Sequence, residues 1–285
     1  MNVTIAYHQT MADRASHRAR VLRYGEQAER RDDQLAAEEP LELRLNGEPL
    51  TVMMRTPGHD RELALGFCYG EGIIRTAADV TEMTVVPNGE HPELENVLDL
   101  RLAPSAPGRD ARWQRHFFAA SSCGLCGVSS IEAIHSQAPP LLDDDLRISP
   151  DVLFTLDERL RAEQAVFART GGLHAAGLFS EAGDPLVVRE DVGRHNAVDK
   201  VIGYALEGGL VPLARSILMV SGRTSFEILQ KALMARVPVL VAVSAPSSLA
   251  RDLAEASNQT LVGFLRGRSL NVYSGRQRIV VPDRP

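Results

Sequence analysis

Two thiols three positions apart, Cys123 and Cys126, are the residues of this chain best suited to chemistry. They stand in Ser-Ser-Cys-Gly-Leu-Cys-Gly-Val-Ser-Ser, where no bulky side chain is at hand to bury the sulfurs. Thiols at this spacing can bond to each other, share a metal, or pass a sulfur atom between them. Each use needs a thiolate, which helix N-termini and cationic neighbours favour. The residues from Val128 to Ile134 read as a helix start, so a thiol just before them would feel its positive end. The alternative is a structural pair packed like apolar residues, and the small polar neighbours speak against it. As a zinc half-site the pair would need two more ligands, which a second copy of the chain could supply. Cys68, between Phe67 and Tyr69, reads as a core thiol.

A second group of chemically capable residues lies in loops that each follow an apolar run and lead into a helix pattern. They are Glu190-Asp191-Val192-Gly193-Arg194-His195-Asn196, Ser221-Gly222-Arg223-Thr224-Ser225 and Ser244-Ala245-Pro246-Ser247-Ser248. In an open α/β sheet, ligands bind at such strand-to-helix loops. Around Ser221, Gly222, Arg223 and Thr224 a glycine lets backbone approach closely, hydroxyls face a helix N-terminus and a guanidinium adds charge. Two readings stand, an anion cradle for phosphate or pyrophosphate and ordinary N-capping by Thr224 or Ser225. The spacing of a Walker loop is absent. Arg194 and His195 beside Asp191 suit a ligand, or a hydrogen-bonded structural histidine. His174 reads as structural. The turn Phe264-Leu265-Arg266-Gly267-Arg268-Ser269 offers an aromatic face, two guanidinium groups and a glycine, parts that suit a nucleotide, or else a solvated basic turn.

These residues need a scaffold, and the pattern supplies an α/β one. Leu41, Leu43 and Leu45 alternate with polar residues, Asn46-Gly47 marks a hairpin, and Leu50 to Met54 returns. Asp60 is expected to cap a helix from Arg61 to about Tyr69. Strands are expected at Val80 to Val86 and Val97 to Leu102, and one helix from Pro150 to Ala168. Beyond it, strands at Leu173, Leu186, Ile217, Val239 and Leu261 alternate with helices, and a hairpin from Asn271 to Val281 closes the chain. The expected organisation is a flexible tail over 1–39, an N-terminal α+β domain over 40–120, a CxxC loop, helix and linker over 121–149, and a C-terminal α/β domain over 150–285. Asp143, Asp144 and Asp145 read as a solvated loop, and no metal site is expected.

Composition narrows the class. Hydrophobic residues make up 44% and charged residues 24% of the 285, ordinary for a globular chain with a sizeable core. A net charge of −6 gives no bulk drive toward nucleic acid. No run is long enough to span a bilayer and no secretory leader is visible, so a cytoplasmic protein is expected. The chain's only lysines are Lys200 and Lys231.

Taken together the motifs closely resemble the formate dehydrogenase accessory sulfurtransferases, the FdhD/NarQ family. The resemblance rests on Pro57-Gly58-His59-Asp60, Ser122-Cys123-Gly124-Leu125-Cys126-Gly127, Thr170-Gly171-Gly172-Leu173-His174, the stretch from Arg189 to Lys200, Ser221 to Glu227, and Gly263-Phe264-Leu265-Arg266-Gly267. It implies a sulfur carrier that takes persulfide sulfur from a cysteine desulfurase to the molybdenum cofactor, bis-molybdopterin guanine dinucleotide. That cofactor would be carried as substrate, with no permanently bound cofactor, before it enters the formate dehydrogenase catalytic subunit. By motif match Cys123 would hold the persulfide, Cys126 would assist transfer, and Phe264 to Ser269 would touch the cofactor. The expected assembly is a homodimer, with no nucleic acid or membrane partner. The segment Ser121 to Gly127 is expected to act as a carrier arm. The C-terminal half also looks like a cytidine-deaminase layout, a mixed sheet with helices on both faces, yet lacks that enzyme's general-acid Glu and zinc cysteines. The alternatives are a dithiol redox protein and a cofactor-binding chaperone with dispensable thiols.

Overall fold

The computed structural model describes residues 14–87, 95–109 and 138–280. The expected mixed α/β class is what it shows. Strands β3 (Glu39–Leu45) and β4 (Glu48–Arg55) form the anticipated hairpin, with Asn46 at φ 53° and Gly47 at φ 87° in its turn. Both residues take the left-handed backbone that a two-residue turn of this hand demands. With β5 (Val80–Val85) and β6 (Val97–Leu102) they make a four-stranded sheet in the order β4-β3-β6-β5. Leu41, Leu43, Leu98 and Leu100 are buried beside Leu63 and Leu65 of helix α1 (Asp60–Gly70).

Helix α1 ties this sheet to the rest of the chain. It lies against α4 (Arg194–Glu207), and two glycines set the spacing. A Cβ at Gly66 would sit 1.8 Å from the Asp199 carbonyl oxygen, and one at Gly203 would sit 1.8 Å from that of Glu62. The two backbones approach as only glycine allows.

The C-terminal sheet has six strands in the order β12-β11-β10-β9-β7-β8. They are β7 (His174–Ser180), β8 (Pro185–Asp191), β9 (Ser216–Val220), β10 (Val239–Ala242), β11 (Thr260–Arg266) and β12 (Ser269–Ser274). Strands β9, β10 and β11 run parallel, whereas β7–β8, β7–β9 and β11–β12 pair antiparallel. Alternation along each strand feeds two faces. Leu218, Val220, Leu240 and Ala242 share a core with α4, α5 (Phe226–Met234) and α6 (Ser248–Ala256). Ile217, Met219, Val239 and Val241 pack with Leu153, Leu156 and Leu160 of α2 (Pro150–Ala162). Each such Leu, Ile, Val or Met side chain, fully buried, contributes about 1.5–3 kcal/mol.

Four local expectations change. Residues expected as a flexible tail instead form an antiparallel ribbon, β1 (Ser16–Tyr24) with β2 (Ala28–Ala36). Its base is fixed where Ala37 N–H donates to the Ala15 carbonyl at 2.9 Å, both alanines being buried. The ribbon beyond is mostly exposed, so its sequence carries no apolar alternation. Asp60 does not cap α1. Its carboxylate takes a fork from Arg55 at 2.9 and 3.1 Å, and left-handed His59 (φ 59°) occupies the N-cap without a side-chain bond. The helix expected from Pro150 to Ala168 ends at Ala162, and α3 (Ala165–Thr170) starts anew. Its first turn donates to the Glu190 carboxylate from Val166 N and Phe167 N, at 2.9 and 2.7 Å. Last, the closing hairpin is β11–β12, turning at Gly267 (φ 54°), while Arg276–Arg278 is one 3-10 turn. Buried Arg278 there holds Asp144 through Nε and Nη2 at 3.0 and 2.8 Å, so the acidic run anchors a strut.

Candidate functional site at the sheet edge

The parallel strands β9, β10 and β11 end on one edge of the sheet. Their antiparallel neighbour β7 begins there, and β8 ends there beside it. This topology brings His174, Asp191, Arg194, His195, the Ser221–Ser225 loop, the Ser244–Ser247 loop and the Phe264 turn to that edge. Adjacent loops are stitched together. Thr224 N–H donates to Ala245 O at 3.3 Å, Ser247 N–H to Thr224 O at 3.0 Å, and Phe264 N–H to Ser244 O at 3.2 Å.

A fully buried carboxylate shapes the first loop. Asp191 accepts from Gly193 N at 2.8 Å, Asn196 Nδ2 at 2.9 Å and Thr56 N at 3.2 Å. Lys200 Nζ sits 2.7 Å from it and also donates to the carbonyls of Thr56 and Glu190. These bonds compensate the buried charges and present Arg194 and His195 at the first turn of α4.

In the second loop no hydroxyl caps the helix that follows. Ser221 Oγ accepts from Ala175 N at 2.9 Å, which closes the gap between β7 and β9. Ser225 occupies the N-cap of α5, yet no side chain caps that helix, because Ser225 Oγ lies 3.0 Å from His195 Nε2. Thr224 is 1% exposed and its Oγ1 has no hydrogen-bond partner, and the Nε of Arg194 is likewise buried and unpartnered. Gly222 is pressed between side chains: a Cβ on it would lie 3.3 Å from His174 Nδ1 and 3.7 Å from Arg194 Cδ. An uncapped helix N-terminus beside unpartnered donors is a chemical invitation to an oxyanion.

Charge at the edge is lopsided. Burial, then Arg194, Lys231 and His174, push His195 down to about 3. Burial, then Arg194 and Arg223, lower His174, with Asp191 opposing. Both imidazoles are therefore neutral at pH 7, and the positive charge comes from guanidinium groups. Behind His195 lies a buried polar chain that sequence reading missed. Glu227 Oε2 is 3.1 Å from His195 Nε2, and Lys231 Nζ is 2.7 Å from Asp199 Oδ1. Burial raises Glu227 and pushes Glu71 up to about 7, with Lys231 opposing in both cases. Burial works to lower Lys231, but Asp199 and Glu71 outweigh it and keep the ammonium charged. The one sequence signal for this chain was the rarity of lysine, since both lysines prove buried.

The third stretch is split by the fold. Phe264 is exposed, with left-handed backbone at φ 54°, and Arg266 is exposed beside Gly267. Leu265 is wholly buried in the α2-side core. Arg268 turns away to pair with Asp151 at 2.6 Å, its guanidinium 5.0 Å from the Phe154 ring centroid, and Ser269 opens β12. Cys68 is buried, and burial raises its thiol far above the usual range. Cys123 and Cys126 lie outside the described residues, as does the helix expected after them, whereas the linker from Ala138 to Ser149 is described. Among the described residues no group of His, Cys, Asp and Glu is arranged to hold a metal ion, and no helix is long and apolar enough to cross a membrane.

Comparison with known proteins gives a consistent result. The model of the FdhD/NarQ family matches residues 36–280. A sulfur carrier protein FdhD from Streptomyces avermitilis is 51% identical over 273 residues, covering 94% of this chain and 97% of its own length. The protein of the same name from Mycobacterium tuberculosis is 52% identical over 256 residues, covering 87% of this chain and 92% of its own. The crystal structure of a protein from Desulfotalea psychrophila, described as a formate dehydrogenase accessory protein, superposes with a TM-score of 0.74. It is 23% identical and covers 93% of this chain and all of its own, a likeness of fold.

Proposed function

Because this chain belongs to the FdhD/NarQ family, we propose that it is a sulfur carrier for a formate dehydrogenase. In this reading Cys123 accepts persulfide sulfur from a cysteine desulfurase, Cys126 assists its transfer, and the recipient is bis-molybdopterin guanine dinucleotide. The observation that carries the reading is the sheet edge. Arg194, Arg223 and Arg266 stand there without an ion-pair partner among the described residues, beside the unpartnered Thr224 hydroxyl and the uncapped start of α5. The bis form of the cofactor brings two diphosphate groups, one per dinucleotide, which such an edge can hold through charge-assisted bonds. Phe264, exposed next to the Ser244 loop, offers a face for a base.

The recruited groups hold and orient the cargo, and the thiols perform the transfer. Neutral His195, bonded to Ser225 and Glu227, leaves the guanidinium groups as the charge that a diphosphate meets. The test is calorimetry with guanosine diphosphate on the chain and on its Arg194→Ala and Arg223→Ala variants. Each replacement is expected to weaken binding by about 1–3 kcal/mol, the range for hydrogen bonds to charged groups. Unchanged affinity in both variants would remove the edge as the docking site.

A further inference from the structure

We propose that an oxyanion docking at this edge brings a proton with it, and that His174 is the group that receives it. The inference rests on the reading that a nucleotide diphosphate docks here, and concerns how that binding responds to pH.

His174 is the first residue of β7, half-buried, with its ring against Gly222 and close to Arg194. The groups around it come from three elements. Arg194 and His195 belong to α4, Arg223 to the loop before α5, and Asp191 to the end of β8. The one nearby carboxylate that acts on His174, Asp191, is already committed to Lys200 at 2.7 Å. A protonated His174 would thus be a third cation beside two guanidinium groups in a partly desolvated place, which is why the free protein keeps it neutral. A diphosphate diester carries two negative charges. Burial is the larger cause of the neutral imidazole and persists, but once the ligand lies against Arg194 and Arg223 their added repulsion is cancelled and the ring gains an acceptor for a second N–H.

His195 does not fill this role. Its Nε2 is already shared between Ser225 and Glu227, and Lys231 presses on it from behind, where the ligand does not reach. The sign follows. His174 sits below its ordinary value in the free protein and above it in the complex, so a proton is taken up at pH values between the two. Affinity therefore rises as pH falls through that window and is flat outside it.

The probe is GDP-mannose, whose diphosphate is a diester with no titrating oxygen near neutrality. Titration calorimetry of the full chain at matched pH in buffers of different ionisation heat counts the protons directly. The expected result is uptake of about 0.3–0.6 proton per ligand near pH 7, with affinity rising about three- to tenfold from pH 8 to pH 6. His174→Gln is expected to bind with a flat pH profile and no uptake. Nitrogen chemical shifts of labelled histidines in the unmutated chain give an independent readout, with His174 becoming imidazolium only when ligand is added. Binding without proton uptake, uptake that persists in His174→Gln, or a His174 ring that stays neutral in the complex overturns the proposal while leaving the docking site intact. Failure of both GDP-mannose and guanosine diphosphate to bind at any pH overturns the nucleotide reading itself.

Discussion

Replacing Arg189 by Met should destabilise the chain at neutral pH and matter far less in acid. Arg189 lies on β8, two residues before Asp191, and reaches across to Glu62 of α1 with Nε and Nη2 at 2.5 and 2.7 Å. It also lies over the Tyr204 ring at 5.2 Å. Burial acts to raise the Glu62 carboxyl, but the Arg189 fork and His59 outweigh it and hold it at about 2, below its ordinary 4.5. At about 1.36 kcal/mol per pH unit this is worth roughly 3 kcal/mol as an upper bound. Solvent screening of this partly buried pair reduces it to roughly 1.5 kcal/mol. The folded value is depressed, so the stabilisation is complete above pH 4.5 and is lost as pH falls from there toward 2. Urea unfolding of both chains at pH 7, 4.5 and 3 reads the difference, in which acid effects common to both cancel. The gap should be about 1.5–3 kcal/mol at pH 7. By pH 3, still about a unit above the folded value, it should shrink to roughly half of that. A gap of equal size at pH 7 and pH 3 would refute the reasoning, and with it the view that this ion pair fastens α1 to the sheet that carries the site.

Removing the buried cation should be costlier. Lys231→Met leaves Asp199 without its 2.7 Å partner, and about 3–5 kcal/mol of stability should be lost in a urea melt at pH 7. A loss under about 1 kcal/mol would mean that the carboxylates around it already hold the compensating protons. Cys68 should resist iodoacetamide in the native chain and react on unfolding, since it is fully buried and burial disfavours its thiolate. Peptide mapping after alkylation checks this, and prompt native labelling of Cys68 would contradict its place in the core. Arg268→Ala should leave guanosine diphosphate affinity within about twofold of the parent, because its guanidinium is engaged by Asp151 and Phe154. A drop comparable to that of Arg223→Ala would put Arg268 back among the docking groups.

Much of the scaffold was legible because local rules and tertiary demands agree. The β3–β4 turn is written in Asn46-Gly47, and the alternation of Leu41 and Leu43 with polar residues marks the face that α1 covers. The strand-to-helix loops stood out because a buried strand, a glycine and hydroxyls before a helix are a recognisable local pattern. What stayed hidden depends on residues far apart in sequence. The break between α2 and α3 is made by Glu190, more than twenty positions away, and the β1–β2 ribbon buries only its base and so shows no apolar period. Likewise Asp60 met an arginine that outbid the helix terminus. At the site, Arg194 and Thr224 were visible as types in loops, but the unpartnered Nε and Oγ1 they carry were not. Glu227 reads as an ordinary first-turn acid until folding sets it 3.1 Å from His195. Leu265 looked like part of a nucleotide-facing turn, and strand alternation sends it into the core instead.

The central claim is that this chain carries sulfur on Cys123. Its most direct measurement is intact-mass analysis after incubation with a cysteine desulfurase and cysteine, on the parent chain and on Cys123→Ala. The parent chain should gain one or more sulfur atoms, reversed by dithiothreitol, and Cys123→Ala should gain none. A parent chain that stays at its unmodified mass, or a Cys123→Ala chain that takes up sulfur equally well, would contradict it.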